Sequence, residues 1–201
     1  MFIQVIQGRT ADPIGFTASI DRWVEELSPG AVGWLGTTSG AYGDGEFIAV
    51  VRFESADAAK QNSERPEQGQ WWSKAASYLD GDARFDDYDD VVLMGSGGSD
   101  DAGFVQVMRG RVADVERERA VAEEFSKMPK DFRPDIIGGV EGLKEDGTFV
   151  MAMYFTSEAE ARAGEQKPLP ADMQTMMEEG QANTTEMTFI DLTKPVFHSP
   201  R

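Results

Sequence analysis

The chain has 201 residues and no cysteine, with 36 acidic against 19 basic residues and a net charge of −17. Without thiols it can form no disulfide, no thiolate metal site and no cysteine nucleophile. The charge argues against nucleic acid and against an anionic membrane surface, since both call for a basic footprint. The N-terminus lacks a basic region followed by a long apolar run, and no apolar run approaches bilayer length, so a cytoplasmic protein is expected.

Residues 2–9 alternate and carry β-branched side chains, which predicts a strand. Asp12 caps a helix with Pro13 in its first turn, and Phe16, Ile20, Trp23 and Leu27 form its apolar stripe. Ser28-Pro29-Gly30 ends it. Strands are expected over 32–40 and 46–54, joined by a hairpin in which Asp44-Gly45 supply the positive φ angles. Phe47, Ala49, Val51 and Phe53 share one face of the later strand and Ile48 and Val50 the other, so that sheet should be covered on both sides. Ser55 caps a helix over 56–63, Pro66 breaks it, a further helix runs over about 68–79, and a strand over 83–93 completes a βαββαβ unit.

The unit then repeats. FIQVIQGRTAD at 2–12 returns as FVQVMRGRVAD at 104–114 with seven of eleven positions identical, and the same offset of 102 holds without a gap to Pro66/Pro168, giving 17 identities over 65 positions. Strands are expected at 104–111, 135–143, 148–156 and 186–193, with helices near 115–128, 157–164 and 170–181. Val121, Phe125 and Met128 form the first helical stripe of this copy. GSGGSDDAG, residues 95–103, is a flexible linker by composition. It lacks the Lys-Ser/Thr of a phosphate loop. The expected organisation is a first repeat over 1–94, the linker, a second repeat over 104–194 and a tail over 195–201. One such unit has helices on one sheet face only, and the second copy is the obvious cover for the other.

The doubled units, the hairpins GDGEFIAVVRFES and EDGTFVMAMYFTS and the helix starts ADAAK and EAEAR resemble the dimeric α/β-barrel superfamily. More narrowly, they resemble its ferredoxin-like, antibiotic-biosynthesis-monooxygenase type of domain in tandem form. The resemblance implies an α+β fold in which two antiparallel sheets pack into one intramolecular barrel, a monomeric pseudo-dimer, with further homodimerisation left open. The superfamily holds cofactor-free oxygenases, haem-degrading enzymes, isomerases, decarboxylases and proteins with no known activity, so function has to come from the site. In catalytic members a pocket between sheet and helices is lined by a polar residue of the first strand and by side chains of the second helix. Carried over, these are Gln4, with Gln106 its twin, and Asn62, Trp71, Trp72 and Tyr78. No histidine lies in either second helix, which leaves haem without its ligand, and no cofactor is expected.

Trp71 and Trp72 beside Asn62 and Arg65 could hold a flat aromatic ligand by stacking and cation–π contact, or simply pack a helix on a sheet. Trp34, a further ligand-binding candidate, is matched by Ile136, Trp71 by Met173, Trp72 by Gln174 and Asn62 by Gly164. Any site is therefore expected in the first copy. Gln4 and Gln106 could orient a ligand or bond to each other, the structural role being favoured. Arg9 and Arg111 are expected to pair with Asp12 and Asp114. His198 is the single histidine, expected in a solvated tail, which rules out a histidine metal cluster. DDYDD at 86–90 reads as a solvated strand start rather than a calcium loop. No residue is assigned as catalytic and none as a metal ligand. Three functions stay open: a cofactor-independent monooxygenase-like or isomerase-like enzyme for a small aromatic or polyketide-like molecule, a non-catalytic ligand carrier or interaction protein, and haem binding or degradation.

Overall fold

The computed structural model describes residues 1–127, 133–168 and 171–200. In chain order the elements are β1 (Phe2–Arg9), α1 (Pro13–Glu26), β2 (Trp34–Tyr42), β3 (Glu46–Phe53), α2 (Ala56–Ser63), α3 (Pro66–Ala75), β4 (Arg84–Tyr88), β5 (Asp90–Gly95) and β6 (Phe104–Val112). They continue with α4 (Val115–Ser126), β7 (Ile136–Leu143), β8 (Thr148–Phe155), α5 (Glu158–Glu165), α6 (Ala171–Asn183), β9 (Thr184–Leu192) and β10 (Val196–His198). Met128, residue 170 and Arg201, which the sequence assigns to the two helices and the tail, lie outside the described residues.

The caps fall where the sequence puts them. Asp12 and Asp114 accept the Gly15 and Arg117 N–H groups at the starts of α1 and α4, and Ser55 and Ser157 do the same for α2 and α5. Because those aspartates are occupied as caps, Arg9 and Arg111 pair instead with the hairpin aspartates Asp44 and Asp146. The first hairpin uses Gly43 and Gly45 at positive φ rather than Asp44 and Gly45; glycine adopts that region without a Cβ clash. β2 begins two residues later than expected because Ala31, Val32 and Gly33 form a turn, with Trp34 N–H bonded to Ala31 O at 3.0 Å. The helix expected to 79 ends at Ala75 and continues only as a 3-10 turn over Ala76–Tyr78.

The larger departure concerns the strand expected over 83–93. It is two strands in two sheets. β4 pairs antiparallel with β1, whereas β5, after the single residue Asp89, pairs antiparallel with β7. The tail compensates. β10 pairs antiparallel with β2, Val196 lying opposite Ser39, so His198 sits on a sheet edge and is mostly buried. The resulting sheets are β10-β2-β3-β1-β4 and β5-β7-β8-β6-β9. Contacts accordingly divide the chain into Met1–Asp89 with Val196–Arg201, and Asp90–Pro195. The segment 95–103 therefore lies wholly inside the second unit, joining β5 to β6, and it is pinned rather than free. Gly97 N–H bonds to Met94 O, Ser96 Oγ–H to Ile137 O and Gly103 N–H to Phe155 O. The acidic run is likewise engaged: Asp86 is buried and paired with Arg84 at 2.9 Å, and Asp90 is paired with Arg119.

Within the first unit, helices cover one sheet face over two apolar clusters. Phe2, Trp23, Ala31, Trp34 and Phe53 form one, Phe16, Phe47 and Ala75 the other, and Trp71 packs against both. The second unit has the matching pair, Met94, Phe104, Met153, Phe155 and Ala161, then Val112, Leu143 and Phe149, with Met108 and Met151 packed against both.

Ending the chain at Lys194 removes β10 and leaves the β2 edge with unpaired backbone groups, a template for association. Losing a few net hydrogen bonds should cost about 2 kcal/mol, or roughly 4–8 °C in Tm for a chain of this size. Thermal denaturation and size-exclusion chromatography check this. An unchanged Tm would mean that β10 contributes nothing to the sheet.

Candidate carboxylic-acid site in the second unit

Antiparallel register places whole rows of side chains across a sheet. In the second unit one row on the helix-covered face reads Val92, Glu141, Met151, Met108, Phe189, taken strand by strand from β5 to β9. The row runs from the interior to solvent: Glu141 is 0% exposed, Met151 and Met108 are half-buried, and Phe189 is 56% exposed. Met187, two residues along β9 on the same face, is 42% exposed.

Glu141 is the anomaly of this row. Among the described residues neither of its carboxyl oxygens has a hydrogen-bond partner. Burial drives its acidity well below that of an ordinary glutamate, so its pKa lies far above the usual range, and the nearby charges of Glu118 and Asp90 push the same way. A carboxylate stripped of water without a cation is costly, which favours the protonated form. Glu118, on α4, is also buried; desolvation raises its pKa too, while a hydrogen bond from Asn183 Nδ2 at 3.2 Å opposes the rise. Helix α4 is fixed over β5 by the Arg119–Asp90 ion pair.

The next row, Met94, Gly139, Met153, Gln106, Asp191, holds a polar network at its outer end. Gln106 Nε2 donates to Asp191 Oδ1 at 2.8 Å, and Arg162 binds the other oxygen of Asp191 while standing over the Phe104 ring at 5.2 Å. The first unit repeats the core of this: Gln4 Nε2 donates to Asp87 Oδ1 at 2.8 Å. The two glutamines thus each bond within their own sheet rather than to each other.

The residues singled out in the first repeat do gather on one side of its sheet, and the polar atoms of most of them are occupied. Arg65 donates from Nη1 and Nη2 to Leu27 O, both at 3.1 Å, from Nη1 to Asn62 Oδ1 at 2.9 Å, and from Nε to Glu67 at 3.0 Å. It thereby ties the end of α1 to the start of α3. Trp71 Nε1 donates to Ser19 O and Trp34 Nε1 to Thr37 Oγ1. Trp34, Trp23, Trp71, Trp72 and Phe85 form a continuous aromatic ladder with centroid separations of 5.1, 6.1, 5.8 and 5.1 Å. Tyr78 lies against Gly15 so closely that a Cβ there would meet its ring at 2.4 Å. Asn62 and Trp34 are buried, while Gln4, Trp71, Trp72 and Tyr78 are half-buried.

The equivalent row of the first unit is Val196, Ser39, Ala49, Ile6, Phe85. Against it, the second unit has Glu141 for Ser39, Met151 for Ala49 and Met108 for Ile6, with Glu118 for Phe16 and Met173 for Trp71 on the helices. Bulk has moved from rigid indoles on the helices to flexible thioethers on the sheet, a lining that adapts to an apolar guest. All four tryptophans precede residue 90, and nine of the ten methionines follow it. That partition and the lone acid in IIGGVEGL were visible signals for the second repeat, which the tryptophans overshadow. Among the described residues no three metal-ligating side chains converge, and no helix is long and apolar enough to cross a membrane.

No family model matches this chain and no curated protein does. Solved structures do share its fold over their full lengths. A candidate monooxygenase from Lactobacillus acidophilus NCFM superposes with a TM-score of 0.74 at 9% identity, covering 98% of this chain and 95% of its own. A candidate monooxygenase from Fusobacterium nucleatum gives 0.73 at 9% identity, with 100% and 98% coverage. An anthrone oxidase-like protein gives 0.63 at 12%, with 98% and 93% coverage. The tandem ferredoxin-like α+β fold expected from the repeats is therefore the fold of this chain.

Two outcomes follow for stability. Glu141→Leu replaces a buried unsatisfied acid with a hydrocarbon and should stabilise the fold by about 1–3 kcal/mol, read as a higher Tm. A raised folded-state pKa means that the native state holds the Glu141 proton where the unfolded chain has lost it. Its contribution is full below the unfolded value near 4.5 and declines as pH rises towards the folded value. The Tm advantage of Glu141→Leu should therefore be larger at pH 8 than at pH 5, and a gap independent of pH would show that Glu141 is not a buried acid. Arg65→Ala, by contrast, should lower stability by about 2–3 kcal/mol through its lost charged hydrogen bonds, measured by urea denaturation. A neutral Arg65→Ala would return Arg65 to the list of residues free to meet a ligand.

Proposed function

We propose that the second repeat binds a small hydrophobic molecule between its sheet and helices and that Glu141 donates a hydrogen bond to a carbonyl or hydroxyl oxygen of that ligand. The carrying observation is the fully buried carboxyl of Glu141, which has no hydrogen-bond partner among the described residues. Native structures seldom leave such a group unsatisfied, and a perturbed acid in an apolar setting is a marker of function. Met151 and Met108 provide the apolar run from that acid to Phe189 and Met187 at the solvent edge.

A neutral acid that polarises a carbonyl prepares its neighbouring carbon for proton loss, the first step both of isomerisation and of oxygenation by a substrate that carries its own reactivity. Enzymatic turnover of an aromatic, polyketide-like ketone is the activity this favours, in keeping with the monooxygenase and anthrone oxidase-like names of proteins sharing the fold. In this reading the first repeat, with its indoles packed and Arg65 engaged, is the structural partner of the site.

The test uses 2-tetralone, a bicyclic aromatic ketone, titrated into protein carrying 13C-methyl methionine. The Met108 and Met151 methyl signals should shift, Glu141→Leu should weaken binding about tenfold or more, the worth of one buried hydrogen bond, and Trp72→Ala should bind as wild type does. Binding lost in Trp72→Ala and kept in Glu141→Leu would move the site to the first repeat.

A further inference from the structure

Asn183 ends α6 and is 4% exposed. Its backbone and side chain are locked to the turn that starts α4: Ala113 N–H donates to Asn183 O at 2.9 Å, Asp114 N–H to Asn183 Oδ1 at 2.8 Å, and Asn183 Nδ2 to Asp114 O at 2.8 Å. These bonds leave the amide one N–H, and it points at Glu118 Oε2 at 3.2 Å. Glu118 is buried one helical turn into α4. Of the buried acids of the second unit, Asp135 is paired with Arg133, Glu118 has a fixed N–H donor, and Glu141 has neither among the described residues. The counterparts of Glu118 and Glu141 in the first repeat are Phe16 and Ser39, so both acids are particular to the second repeat.

Two carboxyls near each other in a dry setting do not both ionise, and the one with a donor carries the charge. Pairs whose environments separate them in this way divide into an acid and a base. Resting on the reading of Glu141 above, we propose that Glu118 is the base of this site, taking a proton from the carbon next to the carbonyl that Glu141 holds, with Asn183 as its positioning residue. The step balances within ligand and protein. The C–H bond breaks towards Glu118, its electron pair forms the carbon–carbon double bond of the enol, and the carbonyl π pair moves to oxygen, which takes the Glu141 proton. Replacement of the Glu118 proton by a solvent deuteron before return to the same carbon exchanges the hydrogen; return to a conjugated carbon isomerises the ligand.

Two other acids around α4 are paired. Asp90 is paired with Arg119, and Arg117 reaches Glu179 at 3.7 Å on the outer side of α4 and α6.

The experiment follows deuterium entering C1 of 2-tetralone in D2O by proton NMR, alongside the methionine-methyl titration. Wild type should exchange faster than buffer. Glu118→Gln, which keeps the shape, should exchange about 100-fold more slowly, as loss of a general base does, with affinity unchanged within about threefold. Asn183→Ala removes the donor that favours the carboxylate, so the rising limb of the pH–rate profile should move to higher pH. If Asn183→Ala fails to fold, Glu118→Gln decides alone. Exchange at the wild-type rate in Glu118→Gln, or an unmoved limb in Asn183→Ala, would overturn the assignment. A wild type that binds the ketone through Glu141 yet exchanges it no faster than buffer overturns Glu118 as base and leaves the binding reading standing. Binding indifferent to Glu141 overturns the binding reading instead.

Discussion

An outer strand with an open side leaves a line of backbone N–H and C=O groups that must find partners. Here both β2 and β7 meet that demand by exchange. β5, encoded at the end of the first repeat, closes the sheet of the second, and β10, at the end of the second, closes the sheet of the first. The crossing takes one residue, Asp89, between β4 and β5. Everything placed on the sheets depends on this pairing, because the register of β5 on β7 sets Val92 beside Glu141 and Asp90 where Arg119 can hold α4. A strand slipped by one residue would turn every side chain to the other face.

The two units share rows, caps and the glutamine–aspartate bond, and they part company where sheet meets helix. In the first, Trp71 occupies the seam between two apolar clusters and Arg65 binds the end of α1. In the second, Met108 and Met151 lie at the seam and two acids replace Phe16 and Ser39. Rigid indoles with satisfied N–H groups specify one packing. Thioethers specify less and yield more. One scaffold thus carries a filled layer and an adaptable one, and the acid stands in the adaptable one.

An unpartnered acid in the core lowers stability, and departures of this kind gather at functional or strained sites. Its surroundings explain how it is tolerated. The neighbouring acid is held by Asn183, Asp90 is paired with Arg119, and the remaining neighbours along its row are hydrocarbon or thioether. The site is therefore built from what is withheld from Glu141 as much as from what surrounds it.

The sequence by itself determined the doubled βαββαβ order, nearly every helix start and the apolar stripes, because caps, periodicity and a gapless repeat are local signals. It marked Gln4, Trp34, Asn62, Arg65, Trp71, Trp72 and Tyr78 as ligand-binding candidates, all of them in the first repeat. Only the tertiary structure decided that residues 83–93 divide between sheets, that the tail carrying His198 is a strand, and that the linker is pinned. Edge pairing joins residues far apart in the chain, such as Val92 with Glu141 and Val196 with Ser39, and leaves no periodic trace. It also decided that Arg65 spends its donors on Leu27, Asn62 and Glu67 and that Glu141 has no hydrogen-bond partner among the described residues. Whether a polar atom is satisfied depends on neighbours brought in from other strands and helices, and no single stretch of chain records them.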